Sequence, residues 1–217
     1  MPTLLHLDSS ADLTGSRSRA ITAVFAGAWR QAGPDHVVTH RDLHRNPPPH
    51  LADPEQHWSR SFRRLDAEVP PAAEAAQQEI LDELLTADVL LIGIPTYNYA
   101  PPSTLKAWLD HIHVPGVTAA LDTDTRPLAG RAAVLVNSAG ATYDPGTPTE
   151  SWNHAVAPLA IVLGEALGMT VEVISCTRTL ADRVPALAAE APQAQAEFDR
   201  ACERAAQLGS RLAAAVR

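Results

Sequence analysis

The chain has 217 residues and a formal net charge of −8, and 46% of its residues are hydrophobic. That length suits a single α/β domain with a sizeable core, and the apolar content excludes a disordered chain. The acidic balance argues against nucleic acid or an anionic membrane as the main partner, since both need clustered Lys and Arg, but not against a phosphate-bearing cofactor that needs only local donors.

Residues 3–7 form a short apolar run before Asp8-Ser9-Ser10 and predict a buried first strand. A polar loop over 9–16 leads to helical spacing over 19–29, with Ile21, Val24, Phe25 and Ala28 on one face and Ser16 as N-cap. Residues 36–43 predict strand two. The Pro-rich segment 46–71, with Trp58 and Phe62, predicts a long ordered connection with one helical turn near 58–65, suited to a lid or a subunit contact.

Residues 72–87 predict a helix, and 88–94 a nearly continuous apolar strand, as parallel strands covered on both faces require. A helix over 103–113, a strand over 131–136, a Gly/Thr/Pro-rich loop over 137–149, a helix over 154–167 stopped by Gly168, a strand over 170–175 and a helix over 192–216 complete the pattern. Alternating strands and helices imply a parallel sheet with right-handed crossovers. The expected fold is an α/β flavodoxin-like three-layer sandwich with five parallel strands in a single domain spanning 1–217.

Two cysteines, Cys176 and Cys202, without CxxC spacing fit a reduced cytoplasmic setting. Residues 1–8 lack the features of a signal peptide, and no apolar run approaches the ~20 residues needed to span a bilayer. His40 and His44, four apart at a strand end, and the other histidines match no metal-ligand spacing, so no metal is expected. His111 and His113 follow their helix toward the presumed pocket.

Three strand ends carry chemistry and open on one edge of such a sheet. Ser10, Thr14, Ser16, Arg17 and Ser18 make a hydroxyl-rich loop entering a helix N-terminus, where free N–H groups and the dipole favour an anion. Ordinary capping is the plain alternative. Pro95-Thr96-Tyr97-Asn98-Tyr99, before a Pro-Pro turn, makes a rigid aromatic edge; tyrosines simply packed on the sheet are its alternative. Ser138-Ala139-Gly140-Ala141 and Tyr143 form a loop of small residues that lets backbone approach a ligand.

With these strings, Arg41-Asp42-Leu43 and Leu105-Lys106…Asp110 in order, the chain resembles the FMN-dependent NAD(P)H azoreductase and quinone reductase family. The resemblance implies that FMN is the cofactor and NADH or NADPH the co-substrate. It implies hydride transfer by a ping-pong route to a quinone, azo or similar electron-poor acceptor, in a homodimer with flavin at the interface. Ser10, Ser16, Arg17 and Ser18 would hold the phosphate. Pro95, Thr96, Tyr97, Asn98 and Tyr99 would line the ring and ribityl chain, and Ser138, Ala139, Gly140 and Ala141 the pyrimidine side. Backbone donors at Asn98 and Gly140, with Tyr143 shaping the acceptor pocket, are the catalytic candidates.

Thr96, Ala119, Ala139 and Ala141 depart from the family pattern, which predicts a more open pocket and leaves the acceptor undefined. An FMN-binding electron carrier and a biosynthetic redox enzyme for one metabolite remain alternatives. A serine hydrolase lacks its GxSxG elbow.

Overall fold

The computed structural model describes residues 1–121 and 126–216. Five parallel strands, β1 (Thr3–Asp8), β2 (Val37–Asp42), β3 (Val89–Pro95), β4 (Ala132–Ser138) and β5 (Thr170–Cys176), form one sheet in the order β2-β1-β3-β4-β5. The chain runs outward from β1 to β2, then crosses back to β3 and continues the other way. The direction of winding therefore reverses at β1/β3, and the carboxyl ends there flank a crevice.

In the inner strands β1, β3 and β4 alternate residues feed opposite cores, which is why their sequences are largely apolar without alternation. Leu5, Leu7, Ile92 and Leu135 face Trp108 and Leu163. On that side lie α2 (Pro71–Thr86), α3 (Ser103–Ile112) and α4 (Ala157–Ala160). Leu4, Leu91 and Val134 face Ile21, Phe25, Trp29 and Leu208, from α1 (Arg17–Gln31) and α5 (Ala191–Ala215). The last helix packs on the first so closely that a Cβ on Gly209 would lie 2.7 Å from the Phe25 carbonyl oxygen. Among the described residues no helix is long and apolar enough to cross a membrane.

The sequence expectations need correction at several boundaries. Helix α1 starts at Arg17, two residues earlier than predicted, and its buried stripe contains Thr22 and Trp29, while Val24 is exposed. Strand β4 runs on to Ser138, because Asn137 and Ser138 still pair with Ser175 and Cys176. The helix expected over 154–167 begins only at Ala157 and widens to a π-helical turn over Ile161–Ala166, where the Leu167 N–H reaches back to the Val162 oxygen. The His154 N–H is taken instead by the Tyr99 carbonyl at 2.7 Å.

The connection before α2 holds two 3₁₀ turns, Pro54–His57 and Arg60–Phe62, rather than one. Its anchor is Gln56, fully buried. Its Oε1 accepts from the Ala52 N–H at 2.7 Å, and its Nε2 donates to the Ala73 carbonyl at 3.2 Å. Gln77 then donates to the carbonyls of Gln56 and His111.

His111 does not point to the pocket. It is buried, with Nε2 2.8 Å from the Pro49 carbonyl. Burial pulls its pKa below the ordinary 6.5, against the raising effect of that carbonyl. The unfolded chain therefore holds the proton more tightly, so His111's contribution to stability is complete above pH 6.5 and shrinks as pH falls below it. Denaturant midpoints at about pH 7.5 and 5.5 should show this acid loss, and His111→Gln should reduce it.

Candidate active site

The three strand ends do converge, since β1, β3 and β4 are neighbours. Asp8 lies level with Gly93, and Pro95 with Ser138. A cavity of about 580 Å³ opens there, of a size suited to a mononucleotide-sized ligand. Ser10, Ser16, Arg17, Pro95, Tyr97 and Ser138 line it, together with Asp12 and Gly15 and four residues from the β5–α5 segment: Thr179, Leu180, Asp182 and Arg183.

Ser16 caps α1, accepting from the Arg19 N–H at 3.3 Å. The next N–H groups, of Arg17 and Ser18, begin the helix and have no carbonyl one turn back. The Ser18 side chain is buried and shares a 3.1 Å hydrogen bond with Ser16 Oγ. Thr14 serves a different end: its N–H and that of Gly15 donate to Asp12, which draws the Asp12 carboxyl below its usual pKa. The Arg17 guanidinium turns toward α5, bonding Asp182 at 3.1 Å and Gln195 at 3.2 Å and lying over the Phe198 ring.

Arg19 holds this loop in place, and the sequence reading passed over it. Its Nη2 and Nε donate to the Ser10 carbonyl at 2.6 and 3.1 Å, while Nη1 and Nη2 grip Asp42 at 2.8 and 2.9 Å. Burial pushes the Asp42 pKa up, but Arg19 and the N–H groups of Arg45 and His44 more than offset it. An acid at the end of β2 facing an arginine one turn into α1 is the signal that could have revealed the pair.

The second loop is a tight turn. Tyr97 and Ala100 exchange backbone hydrogen bonds of 2.9 and 3.0 Å, and Asn98 and Tyr99 between them have φ of 48° and 70°. Asn tolerates that region; Tyr does not, and surrounding structure must hold it there. Here the Tyr99 carbonyl takes the His154 N–H, and its ring meets Trp152 edge-on with centroids 5.6 Å apart. Among the described residues the N–H groups of Asn98, Tyr99, Gly140 and Ala141 carry no protein acceptor, but none of these four residues, nor Thr96 or Ala139, lines the cavity. The Tyr97 hydroxyl reaches across to the first loop and accepts from the Ala11 N–H at 2.9 Å.

Buried Asn137 joins the second and third loops. Its Nδ2 donates to the Ile94 carbonyl and to Thr96 Oγ1, both at 2.9 Å, and its Oδ1 accepts from Asn153 at 3.0 Å. This residue too was missed, although a lone Asn closing an apolar strand is visible in the sequence.

Ala139 is buried and its backbone is already engaged, with N–H to the Cys176 carbonyl and carbonyl to the Thr179 N–H, both 3.0 Å. Leu180 lies over Gly140, 2.7 Å from where a Cβ would stand. Tyr143 sits beside Tyr99, with its pKa raised by burial and then by that neighbour, outside the residues lining the cavity. Ala119 is packed in the core, so this departure does not widen the pocket of the protomer.

Burial pushes the Cys176 thiol up to about 11. It should stay unmodified by a thiol reagent near neutral pH until the protein is unfolded, as a mass-spectrometric time course would check.

The family described by a flavodoxin-like fold matches residues 2–204. An FMN-dependent NADH:quinone oxidoreductase of Kineococcus radiotolerans is 55% identical over 98% of this chain and 100% of its own length. A protein of the same name from Frankia casuarinae is 43% identical over 87% of this chain and 89% of its own. Among solved structures, an azoreductase from Bacillus anthracis superposes with a TM-score of 0.82 at 19% identity, covering 97% of this chain and all of that one. An FMN-dependent NADH-azoreductase from the same species, in complex with FMN, gives 0.76 at 19% identity over 98% of this chain and 100% of that chain.

Proposed function

Because the chain belongs to the flavodoxin-like family of FMN-dependent NADH:quinone oxidoreductases, we propose that the cavity at the β1/β3 crossover is its FMN site and that a quinone or azo acceptor is reduced there at the expense of NADH. The observation that supports this reading is one cavity lined by the capped start of α1 (Ser16, Arg17), by Ser10, by Pro95 and Tyr97 at the end of β3 and by Ser138 at the end of β4, with Asn98, Tyr99 and residues 139–141 just outside its lining.

The residues fit the cofactor. Ser10, Ser16 and Arg17 would offer hydroxyls, the first N–H of α1 and one guanidinium to a phosphate, whereas the fully buried Ser18 hydroxyl would act through its bond to Ser16. Arg17 would turn from Asp182, an exposed partner whose loss costs little. Pro95 to Tyr99 would hold the ribityl chain and ring, and Ser138 to Ala141 the pyrimidine edge. Bound FMN supplies the two-electron chemistry, accepting a hydride from NADH and giving it up to the acceptor. The chain's own task is orientation. The backbone N–H groups of Asn98 and Gly140 would be the donors available to stabilise negative charge on a bound ring, already fixed in place by the fold.

Tyr99, Trp152, Trp58, Phe62 and Leu65 are exposed and apolar in this protomer, which supports a homodimer that covers them and completes the acceptor pocket. Two free thiols suit a cytoplasmic protein. The test is an absorbance spectrum of FMN-loaded protein under nitrogen. NADH should bleach the flavin bands, and a simple quinone should restore them. Protein that holds no FMN would overturn the site assignment. Protein that holds FMN but is not reduced by NADH would be a carrier.

A further inference from the structure

Beneath the first loop, on the α1 side of the sheet, the pairing of β1 with β2 sets His6 level with His40, and Asp8 two residues further along the same face. His6 Nε2 and His40 Nε2 lie 3.3 and 3.0 Å from one oxygen, Asp8 Oδ2, and the three atoms fall within 4.8 Å of one another. His6 and Asp8 are each 5% exposed, and the buried His6 Nε2 makes no hydrogen bond. His40 has 43% of its side chain exposed and lines a separate surface cavity of about 430 Å³ with Asp42 and Asn46.

From these positions we infer a divalent transition-metal site, with zinc as its best ligand, held by His6, His40 and Asp8. Tetrahedral ligands at ~2.0–2.2 Å from an ion stand about 3.3–3.5 Å apart, close to the two spacings observed. Two imidazoles and a carboxylate are a borderline donor set that favours zinc and its neighbours over magnesium or calcium, which take oxygen. The ligands sit on adjacent strands rather than on loops, so their backbones are already placed. Half-exposed His40 can adjust to close the third edge, and its cavity gives the ion an entry path and room for water as fourth ligand.

Arg19 is the opposing feature, with Nη1 3.6 Å from Asp8 Oδ2. It is bidentate on Asp42, however, so Asp8, Asp42 and Arg19 together leave one negative charge against which the ion binds. Arg45, exposed and 3.5 Å from Asp42, weakens that further. The site should therefore bind with micromolar rather than structural-zinc affinity. An ion there would fasten the edge strand β2 to β1 below Ser9 and Ser10.

The test is equilibrium dialysis of untagged, FMN-loaded protein against micromolar zinc chloride, with metal counted by mass spectrometry and thermal stability followed in parallel. Wild type should hold one zinc per chain and melt higher with zinc present. His40→Ala lies on an edge strand and outside the flavin site. It should keep its FMN and melt somewhat lower without metal, since buried Asp8 loses the 3.0 Å hydrogen bond from His40, yet gain no further stability from zinc and bind it at least about tenfold more weakly, the loss that even outer partners of a metal site produce. His6→Gln should agree. The proposal fails if wild type takes up no stoichiometric zinc, or if the zinc persists undiminished in both variants, which would place it on other histidines.

Discussion

Arg19→Ala should be the most damaging single change at the site, costing about 3–5 kcal/mol, the loss expected when one partner of a buried ion pair is removed. The side chain is 14% exposed and Asp42 9%, so alanine leaves Asp42 without its main counter-charge and the Ser10 carbonyl without two donors. The damage reaches function through Ser10, whose carbonyl fixes the path of the first loop over the helix start. FMN should bind at least about tenfold more weakly, more than 1.4 kcal/mol, even where the protein is still folded. Arg19→Lys keeps the charge but cannot span Asp42 and Ser10 together, so it should fall between the two. Denaturant titration gives the stability and quenching of free FMN fluorescence gives the affinity. Equal FMN affinity in all three proteins would show that the loop holds its shape without Arg19.

The second large effect is expected at Asn137. Asn137→Asp preserves volume, so no cavity confuses the result. It removes the bond donated to the Ile94 carbonyl and sets a carboxylate oxygen against that acceptor, 2.9 Å from the present Nδ2, while the Thr96 hydroxyl must reverse from acceptor to donor. Orphaned buried groups cost about 1–3 kcal/mol each. Because the loop proposed to hold the phosphate follows another strand, FMN content should fall little, while quinone turnover with NADH should fall tenfold or more as the Tyr97–Ala100 turn loses its support. Flavin content and steady-state rates measured on the same preparation separate the two effects. A variant that lost FMN and activity in parallel would place Asn137 in cofactor retention instead.

These two residues also mark the limit of what could be read before the structure. Strands β1, β3 and β4 follow directly from buried apolar runs, and Ser16 is the N-cap its position suggests, because both depend on local pattern, while the edge strands β2 and β5 are mostly exposed or half-buried and show only short apolar stretches. Arg19 and Asn137 act through partners 9 to 43 positions away, the farthest being Asp42 and Ile94, and nothing local distinguishes Arg19 from the neighbouring Arg17. The same holds for His6 and His40, which strand pairing brings level across the sequence. The β5–α5 segment was missed for a further reason. Arg178, at φ 60° and 8% exposed, is fixed by Asp144 and Glu197 from two other segments, and only that fixed bend lays Leu180 over Gly140. Val24 misled in the opposite direction. Its spacing fits the buried stripe, but it is exposed and lies outside the cluster that Ile21, Phe25 and Trp29 form with α5.

The packing of α5 on α1 has a kinetic side. Phe25 and Trp29 are shielded by residues from the far end of the sequence, among them Ala205, Leu208 and Ala213. The opposite layer is closed by α2, α3 and α4, all nearer in sequence to the strands they cover. Contacts between distant segments form slowly. Refolding should accordingly pass through a stage in which the α2/α3 layer is closed while the α1 face still awaits its last helix. The loop over residues 9–16 springs from that unfinished face, and Arg17 at its end bonds Gln195 of α5, so if that loop holds the phosphate as proposed, FMN should bind only at the last stage of refolding, as flavin fluorescence followed alongside refolding would check.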